Sequence, residues 1–106
     1  MSKTGKTFLR LTAADIWRSK MGRSAAEMGL EIHHRIPLEW SHLFPNVDPN
    51  RAANLIGVPD IEHWRISAAW NQWRVNLGTR VPTQAEIEGF ALGIDMAFFD
   101  VMTRLP

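Results

Sequence analysis

Residues 31–37, with the sequence Glu-Ile-His-His-Arg-Ile-Pro, decide the fold that we predict for this chain. Polar and apolar side chains alternate in part along the stretch, and the proline at its end cannot continue a hydrogen-bonded ladder. Residues 30–36 are therefore predicted to form a short strand that ends at Pro37. Neighbouring side chains of a strand point to opposite faces, so the adjacent His33 and His34 are expected to diverge.

Downstream of this strand the sequence predicts a loop, a second strand and a helix. The loop covers residues 37–53 and is punctuated by Pro, Asn and Asp. A loop of that length in a small domain is usually functional or internally packed. The second strand covers residues 54–58, and a helix capped by Asp60 follows over about residues 61–77. Apolar side chains recur in that helix at helical spacing, at Ile66, Trp70, Trp73 and Leu77.

The residues that precede this core are basic. Residues 1–11 are predicted to be an irregular entry, followed by a short helix that ends near Lys20. Ser24 and Glu27 then form a capping-box pattern, with Gly29 as the stop after about one turn.

A long helix is predicted at the other end of the chain, over about residues 84–103. Thr83 and Glu86 form the capping box that starts it. Its apolar stripe consists of Ile87, Phe90, Ala91, Ile94, Phe98 and Val101. Asp95 and the other acidic side chains are expected to lie away from that stripe. The predicted fold is therefore α+β, in one domain over residues 1–106.

The composition bounds the class of protein. The chain has 106 residues, of which 45% are hydrophobic and 22% charged, as expected for one soluble globular domain. It contains no Cys, so disulfides and thiolate zinc sites are excluded. No apolar run approaches the ~20 residues that cross a bilayer, and no Sec-type signal is visible. Export, if it occurs, is expected to use another route or a longer chain.

Charge is unevenly distributed along the chain. Residues 1–35 contain seven Lys or Arg and three acidic residues, whereas residues 36–106 contain five Arg and eight acidic residues. A basic first third suits the binding of a polyanion on one side of the molecule. An ordinary solvated surface is the alternative.

Four polar side chains are brought together by this predicted order of elements. His33 and His34 end the first strand, Asn54 opens the second, and His63 falls in the first turn of the next helix. Hydrolysis of a phosphodiester needs a hard cation at the phosphate and a neutral imidazole that accepts a proton from water. Imidazole suits the base role because its pKa lies near working pH.

This pattern resembles a known family. Residues 31–37, followed by Asn50, by residues 54–58 and by His63, are similar to the HNH or ββα-metal nucleases, and most similar to the xHH-type nuclease domains of bacterial polymorphic toxins. The resemblance covers about residues 29–74. It implies a core of two short antiparallel strands and a helix, over about residues 29–77, flanked by N- and C-terminal helices.

The resemblance also implies a role for each polar side chain. His33 and His63 would be metal ligands, and His34 would be the general base. Asn54 would position the base and the loop, or bind the metal. Some members have a further helix histidine one turn later, where this chain has Ser67. Fewer imidazoles favour Mg²⁺ or Mn²⁺, with Zn²⁺ as the alternative.

The implied function is metal-dependent, sequence-nonspecific cleavage of DNA by an antibacterial toxin domain. Such a toxin would act in the cytoplasm of a target cell, and a cognate immunity protein would block it in the producer. Two alternatives are a phage or genome-maintenance HNH nickase, and an inactive nucleic-acid-binding module on the same scaffold. The intact His34 argues against the inactive module.

Several neighbouring residues have two interpretations. Arg35 is a candidate for holding the scissile phosphate, because a guanidinium binds two phosphate oxygens, or it is a surface residue. Glu31 is a candidate metal ligand, but it is expected to flank His33 on one face of the strand in a solvated or structural role. Asn50 is expected to take part in turn hydrogen bonds. His42 is expected to pack in the loop or face phosphate. The helix tryptophans, at positions 64, 70 and 73, are expected in the core rather than as base-stacking platforms.

Overall fold

The computed structural model describes residues 2–106 and begins with a long helix, α1, over Lys3–Met21. The Ser2 hydroxyl caps it by accepting a 3.0 Å hydrogen bond from the Gly5 amide. The helix ends at Gly22, which adopts a left-handed conformation with φ 75°. The predicted irregular entry over residues 1–11 is therefore wrong from Lys3 onward, because Ser2 supplies an N-cap ahead of the basic residues.

The sheet has three short strands in the order β1-β2-β3, all antiparallel. Strand β1 covers Glu31–His34 and β2 covers Leu55–Val58, paired from Glu31 with Val58 to His34 with Leu55. Strand β3, over Thr103–Arg104, pairs with the other side of β2. The predicted first two strands are confirmed, whereas the two-stranded unit is corrected to three strands with β1 at one edge.

Helix α2 covers Asp60–Leu77, close to the predicted range. Asp60 is its first residue and not its cap, since Pro59 stands at the N-cap position and no side chain caps the helix. Helix α3 covers Gln84–Ala97 and begins with the predicted capping box at Thr83. No helix within residues 2–106 is long and apolar enough to cross a membrane.

The last predicted helix is too long by six residues. After Ala97 the chain makes a 3₁₀ turn over Phe99–Val101 and then enters β3. Phe98 leaves the helical conformation, with φ −115° and ψ 15°. An apolar stripe does not distinguish a helix from a turn followed by an edge strand. The pattern alone therefore predicted a helix that continues past its true end.

The loop between β1 and β2 is internally organised. It contains a 3₁₀ helix over Leu38–Leu43 and a 3₁₀ turn over Ala52–Asn54. Upstream of β1, the expected bonds between Ser24 and Glu27 form, with the Glu27 amide 3.1 Å from the Ser24 hydroxyl, but they close a turn and not a regular helix.

The core lies where β2, α2 and α3 meet. Its buried apolar side chains include Ile56 and Val58 of β2, Ile66 and Trp70 of α2, and Ile87, Ala91 and Ile94 of α3. Trp64 is 67% exposed, so its predicted place in the core is wrong.

Helix α1 is attached to the sheet through Trp17, which is completely buried. Its indole lies against Gly57 of β2, where a Cβ atom would come within 2.5 Å of the ring. The glycine thus lets the helix approach the strand closely. This contact sets the position of α1 relative to β1 and β2.

Candidate functional site

A cavity of about 610 Å³ runs along the free edge of β1. All four residues of β1 line it, although neighbouring strand side chains point to opposite faces. A cavity that reaches both faces must follow the open edge of the strand. Its other lining residues come from α1, from the segments on either side of β1, and from α2: Lys6, Arg10, Ala25, Pro37, Leu38, Glu39, His63, Ser67, Trp70, Asn71 and Arg74.

His33 is a buried imidazole without a hydrogen-bond partner at its Nε2 atom within residues 2–106. The residue as a whole is only 6% exposed. Burial, followed by the nearby His63, His34 and Arg35, lowers the pKa of His33 to about 3. The ring is therefore neutral at pH 7, and its buried Nε2 atom has no partner among the described residues.

His63 faces His33 from the first turn of α2. The two ring centroids are 6.2 Å apart and the rings lie edge to face. Nδ1 of His63 is 2.8 Å from Oε2 of Glu31. A carboxylate on one ring nitrogen fixes the orientation of a histidine and leaves the other nitrogen for a ligand.

Glu31 lies on the same side of β1 as His33, as predicted, because both side chains contact or face His63. A hydrogen bond with Asp60 is the main cause that raises the pKa of Glu31, with a smaller effect of burial, while His63 opposes the rise. The carboxyl group that contacts His63 therefore also interacts with Asp60.

His34 is held by Asn50. Nε2 of His34 is 2.8 Å from Oδ1 of Asn50. The Asn50 amide nitrogen donates to the Leu9 carbonyl at 3.0 Å and lies 2.8 Å from the Thr12 hydroxyl. Because a carbonyl only accepts, the amide orientation is determined, and Oδ1 must face His34. His34 therefore carries its hydrogen on Nε2, and Nδ1 is a bare acceptor.

The electrostatic surroundings keep His34 neutral. Burial is the main cause that lowers its pKa, and the charge of Arg10 lowers it further, while the hydrogen bond to Asn50 acts in the opposite direction. A neutral imidazole with a bare Nδ1 is in the state that a general base requires.

Asn54 is buried outside the lining of the cavity. It is 1% exposed, and both ends of its amide are occupied. Oδ1 accepts from the Ile36 amide at 2.7 Å, and Nδ2 donates to the Pro49 carbonyl at 2.8 Å and to the Ile36 carbonyl at 3.3 Å. The ligand alternative for Asn54 is corrected, because Asn54 does not line the cavity that contains His33 and His63. These bonds join the two ends of the loop beside His34, as a positioning residue would.

Arg35 does not line the cavity. Its Nε atom donates to Oδ2 of Asp95 on α3, and both side chains are largely buried. The expected placement of Asp95 on the outside of α3 is wrong, since the residue is 8% exposed. The candidate role of Arg35 at the phosphate is also corrected, because its guanidinium group contacts Asp95 and does not line the cavity.

Three residues at the site escaped the sequence-based interpretation. Asn50 makes the expected turn bond, in which its backbone amide donates to Oδ1 of Asp48 at 2.9 Å. Its side chain also holds His34. Lys6 and Arg10 line the cavity from α1, in the segment predicted to be irregular. The spacing of four residues between these two cations was the available signal. His42 is exposed and does not line the cavity.

The donor set for a metal is small. Within residues 2–106, no group of three or more His, Asp or Glu side chains is arranged to hold a metal ion. The unpartnered Nε2 of His33 and the carboxylate-oriented ring of His63 fit a cation that takes two protein ligands and completes its shell with water or phosphate oxygens. Ser67 lines the cavity one turn after His63 and supplies no imidazole.

Comparisons of the chain with models of protein families, with curated proteins and with solved structures found no match.

Proposed function

We propose that the protein is a metal-dependent endonuclease that hydrolyses the phosphodiester bonds of DNA, with β1, β2 and α2 acting as an HNH-type ββα core. The observation that carries the proposal is the division of labour between two adjacent histidines. His34 is neutral, oriented by Asn50 and bare at Nδ1, whereas His33 faces His63 in the same cavity.

His34 acts as the base. Its Nδ1 atom accepts a proton from a water molecule, and the resulting hydroxide attacks phosphorus in line with the departing 3′ oxygen. The P–O3′ bond breaks, leaving a 5′-phosphate and a 3′-hydroxyl that takes its proton from solvent. Asn50 keeps the ring in the required tautomer, because its carbonyl oxygen accepts the Nε2 hydrogen.

His33 and His63 would hold the cation. A divalent ion held by these two residues would stabilise negative charge on the phosphate and on the departing oxygen. Glu31 orients His63 through Nδ1, and the burial of His33 keeps its ring deprotonated and free to bind. The small number of imidazoles favours Mg²⁺ or Mn²⁺, with Zn²⁺ as the alternative.

The biological setting that we propose is that of an antibacterial toxin domain, acting in the cytoplasm of a target cell and blocked by an immunity protein in the producing cell. This part rests on the resemblance of residues 29–74 to the xHH nuclease toxins. Expression of the chain in a bacterial cytoplasm should be toxic, and a neighbouring gene product should relieve the toxicity. Nicking without toxicity would instead favour a genome-maintenance role.

Plasmid cleavage tests the activity. Purified protein is incubated with supercoiled plasmid, and separately with RNA, in the presence of Mg²⁺, Mn²⁺ or Zn²⁺ or of EDTA. We expect relaxed and linear DNA with at least one of the ions, none in EDTA, and about 10²–10⁴-fold less with His34→Ala.

His42→Ala is the matched control, because His42 is exposed and lies outside the cavity. It should cleave like the native chain. Absence of cleavage with every ion would refute the enzyme, and undiminished cleavage by His34→Ala would refute the base.

A further inference from the structure

Helix α1 presents two cations to the cavity. Lys6 and Arg10 are four residues apart and therefore lie on one side of the helix. Both line the cavity that also contains His33, His34 and His63. Cationic side chains at the margin of a site for phosphodiester chemistry are the groups that would meet a phosphate.

The charges of these two residues are not neutralised by the protein. Within residues 2–106, neither Lys6 nor Arg10 has a carboxylate within 4 Å. Arg74, the third basic side chain in the lining, differs. Its Nε donates to Glu39 at 2.8 Å, and its Nη1 donates to Asn71 at 2.6 Å. The Lys and Arg side chains of the lining that lack a carboxylate partner among the described residues therefore come from α1 rather than from α2.

Arg10 is also close to the proposed base. It lies between Leu9 and Thr12, whose carbonyl and hydroxyl groups hold the amide of Asn50. Asn50 in turn contacts His34 at 2.8 Å. The docking of α1 that orients the base therefore also brings Arg10 into the lining of the cavity that contains His34.

We propose that α1 forms a wall of the substrate groove, in which Arg10 binds the backbone phosphate next to His34 and Lys6 binds a neighbouring phosphate of the same DNA strand. The proposal rests on the proposed function for the identity of the ligand. A guanidinium binds two oxygens of one phosphate, whereas an ammonium contacts a phosphate as a point charge. The strand then follows the free edge of β1, between α1 and α2.

Binding measured without catalysis tests this proposal. A fluorescently labelled DNA duplex is titrated with protein in EDTA, over a series of salt concentrations, by anisotropy. We expect Arg10→Gln and Lys6→Gln each to weaken binding about ten-fold at low salt. Each should also reduce the slope of log K against log salt by about one. The double variant should lose about two units of slope.

Lys20→Gln is the matched control, because Lys20 is an exposed basic residue of α1 outside the cavity lining. Its affinity and slope should match those of the native chain. Denaturation curves establish that all variants are folded. Equal effects at Lys20 and Arg10 would overturn the proposal in favour of a diffuse attraction by the whole helix, as would unchanged slopes at Lys6 and Arg10.

The outcomes separate this proposal from the proposed function. If plasmid cleavage depends on His34 but DNA affinity ignores Lys6 and Arg10, the groove is wrong and the nuclease remains. If DNA binding depends on Lys6 and Arg10 but no ion supports cleavage, the groove is right and the nuclease is wrong.

Discussion

Oδ1 of Asn50 accepts a hydrogen bond from Nε2 of His34 at 2.8 Å, across sixteen positions of sequence. The relationship decides which nitrogen of His34 is available to water. The Asn50 amide nitrogen is occupied by Leu9 and Thr12 of α1, so the helix determines the orientation of the amide, and the amide determines the tautomer of the ring. Helix α1, the loop residue Asn50 and strand β1 are distant in sequence, and together they leave Nδ1 of His34 as the proton acceptor.

Replacement of Asn50 should change both the rate and the pH profile of cleavage. In the native chain the acid limb of the kcat/KM profile should have its midpoint below 6.5, because the pKa of His34 is lowered from that value and the base works unprotonated. Asn50→Ala removes the hydrogen bond that favours the protonated ring, so the midpoint should move further down. The plateau rate should fall about 10–100-fold, since the ring loses its orientation.

A loss of rate with an unchanged acid limb would mean that Asn50 acts only on the structure of the loop. Asn46→Ala is the control, because Asn46 is exposed in the same loop. It should leave both the rate and the profile as they are.

The stability of the protein should decrease as the pH is lowered, because of His33. The pKa of His33 is about 3 in the folded protein and 6.5 without its surroundings, so the unfolded chain binds a proton that the folded protein does not. Between about pH 6.5 and pH 3 this difference should lower the free energy of unfolding by about 1.4 kcal/mol for each pH unit.

Urea denaturation in EDTA at several pH values between 7 and 4 measures this dependence. His33→Gln removes the titrating ring. The free energy of unfolding of this variant should therefore depend less steeply on pH than that of the native chain, and the two slopes should differ by about 1.4 kcal/mol for each pH unit. Parallel curves for the two proteins would show that His33 is not responsible.

Ser67→His should strengthen metal binding. Ser67 lines the cavity one turn after His63 on α2, so a histidine there would add a third imidazole to His33 and His63. Zn²⁺ affinity should rise about ten-fold or more, and more than Mg²⁺ affinity, because imidazole suits zinc. Isothermal titration calorimetry measures both constants.

Gln72→His places the same side chain on α2 outside the cavity and should bind no more tightly than the native chain. Equal Zn²⁺ affinities of the Ser67 and Gln72 variants would refute the assignment of His33 and His63 as the metal ligands.

Arg35→Met should reduce stability without affecting chemistry. The substitution leaves the largely buried carboxylate of Asp95 unpaired, which should cost about 2–3 kcal/mol in the free energy of unfolding. Cleavage per folded molecule and the salt dependence of DNA binding should not change, because Arg35 does not line the cavity. If the Arg35→Met variant is as stable as the native chain but binds DNA more weakly, Arg35 contacts the substrate and its pairing with Asp95 does not stabilise the fold.

Gly57→Ala should loosen the attachment of α1. A methyl group at this position would meet the indole of Trp17 at 2.5 Å and Leu30 at 3.0 Å, so helix and strand must separate. We expect a loss of about 1–3 kcal/mol in thermal or urea denaturation. Gly93→Ala in α3, where the added methyl meets nothing within 4 Å, should instead be neutral or stabilise by about 0.5–1 kcal/mol.

The local parts of the fold follow from the sequence. β1, β2 and α2 lie close to their predicted ranges, since each is marked by its own side-chain pattern and by a proline or glycine at its end. The capping box at Thr83 was equally visible. β3 was not, because a strand of two residues exists only through its pairing with β2.

The candidate site was predictable only where its residues lie near one another in sequence or share a pattern. The placing of His33, His34 and His63 around one cavity agrees with the predicted order of elements. Asn50 and Arg10 depend on the docking of α1, and the partner of Arg35 is a residue of α3. Contacts of this kind are fixed by tertiary packing, about which a single sequence carries no local signal.

The attachment of α1 through Trp17 leaves the first part of that helix thermodynamically weak. Its buried residues are Ala13 and Trp17, so opening of the segment before Ala13 exposes little apolar surface and costs less than global unfolding. The Leu9 and Thr12 groups that hold Asn50 lie within that segment. Hydrogen exchange should therefore find a sub-global opening in which the sheet is intact but the base has lost its orientation, so that activity declines on warming before the fold melts.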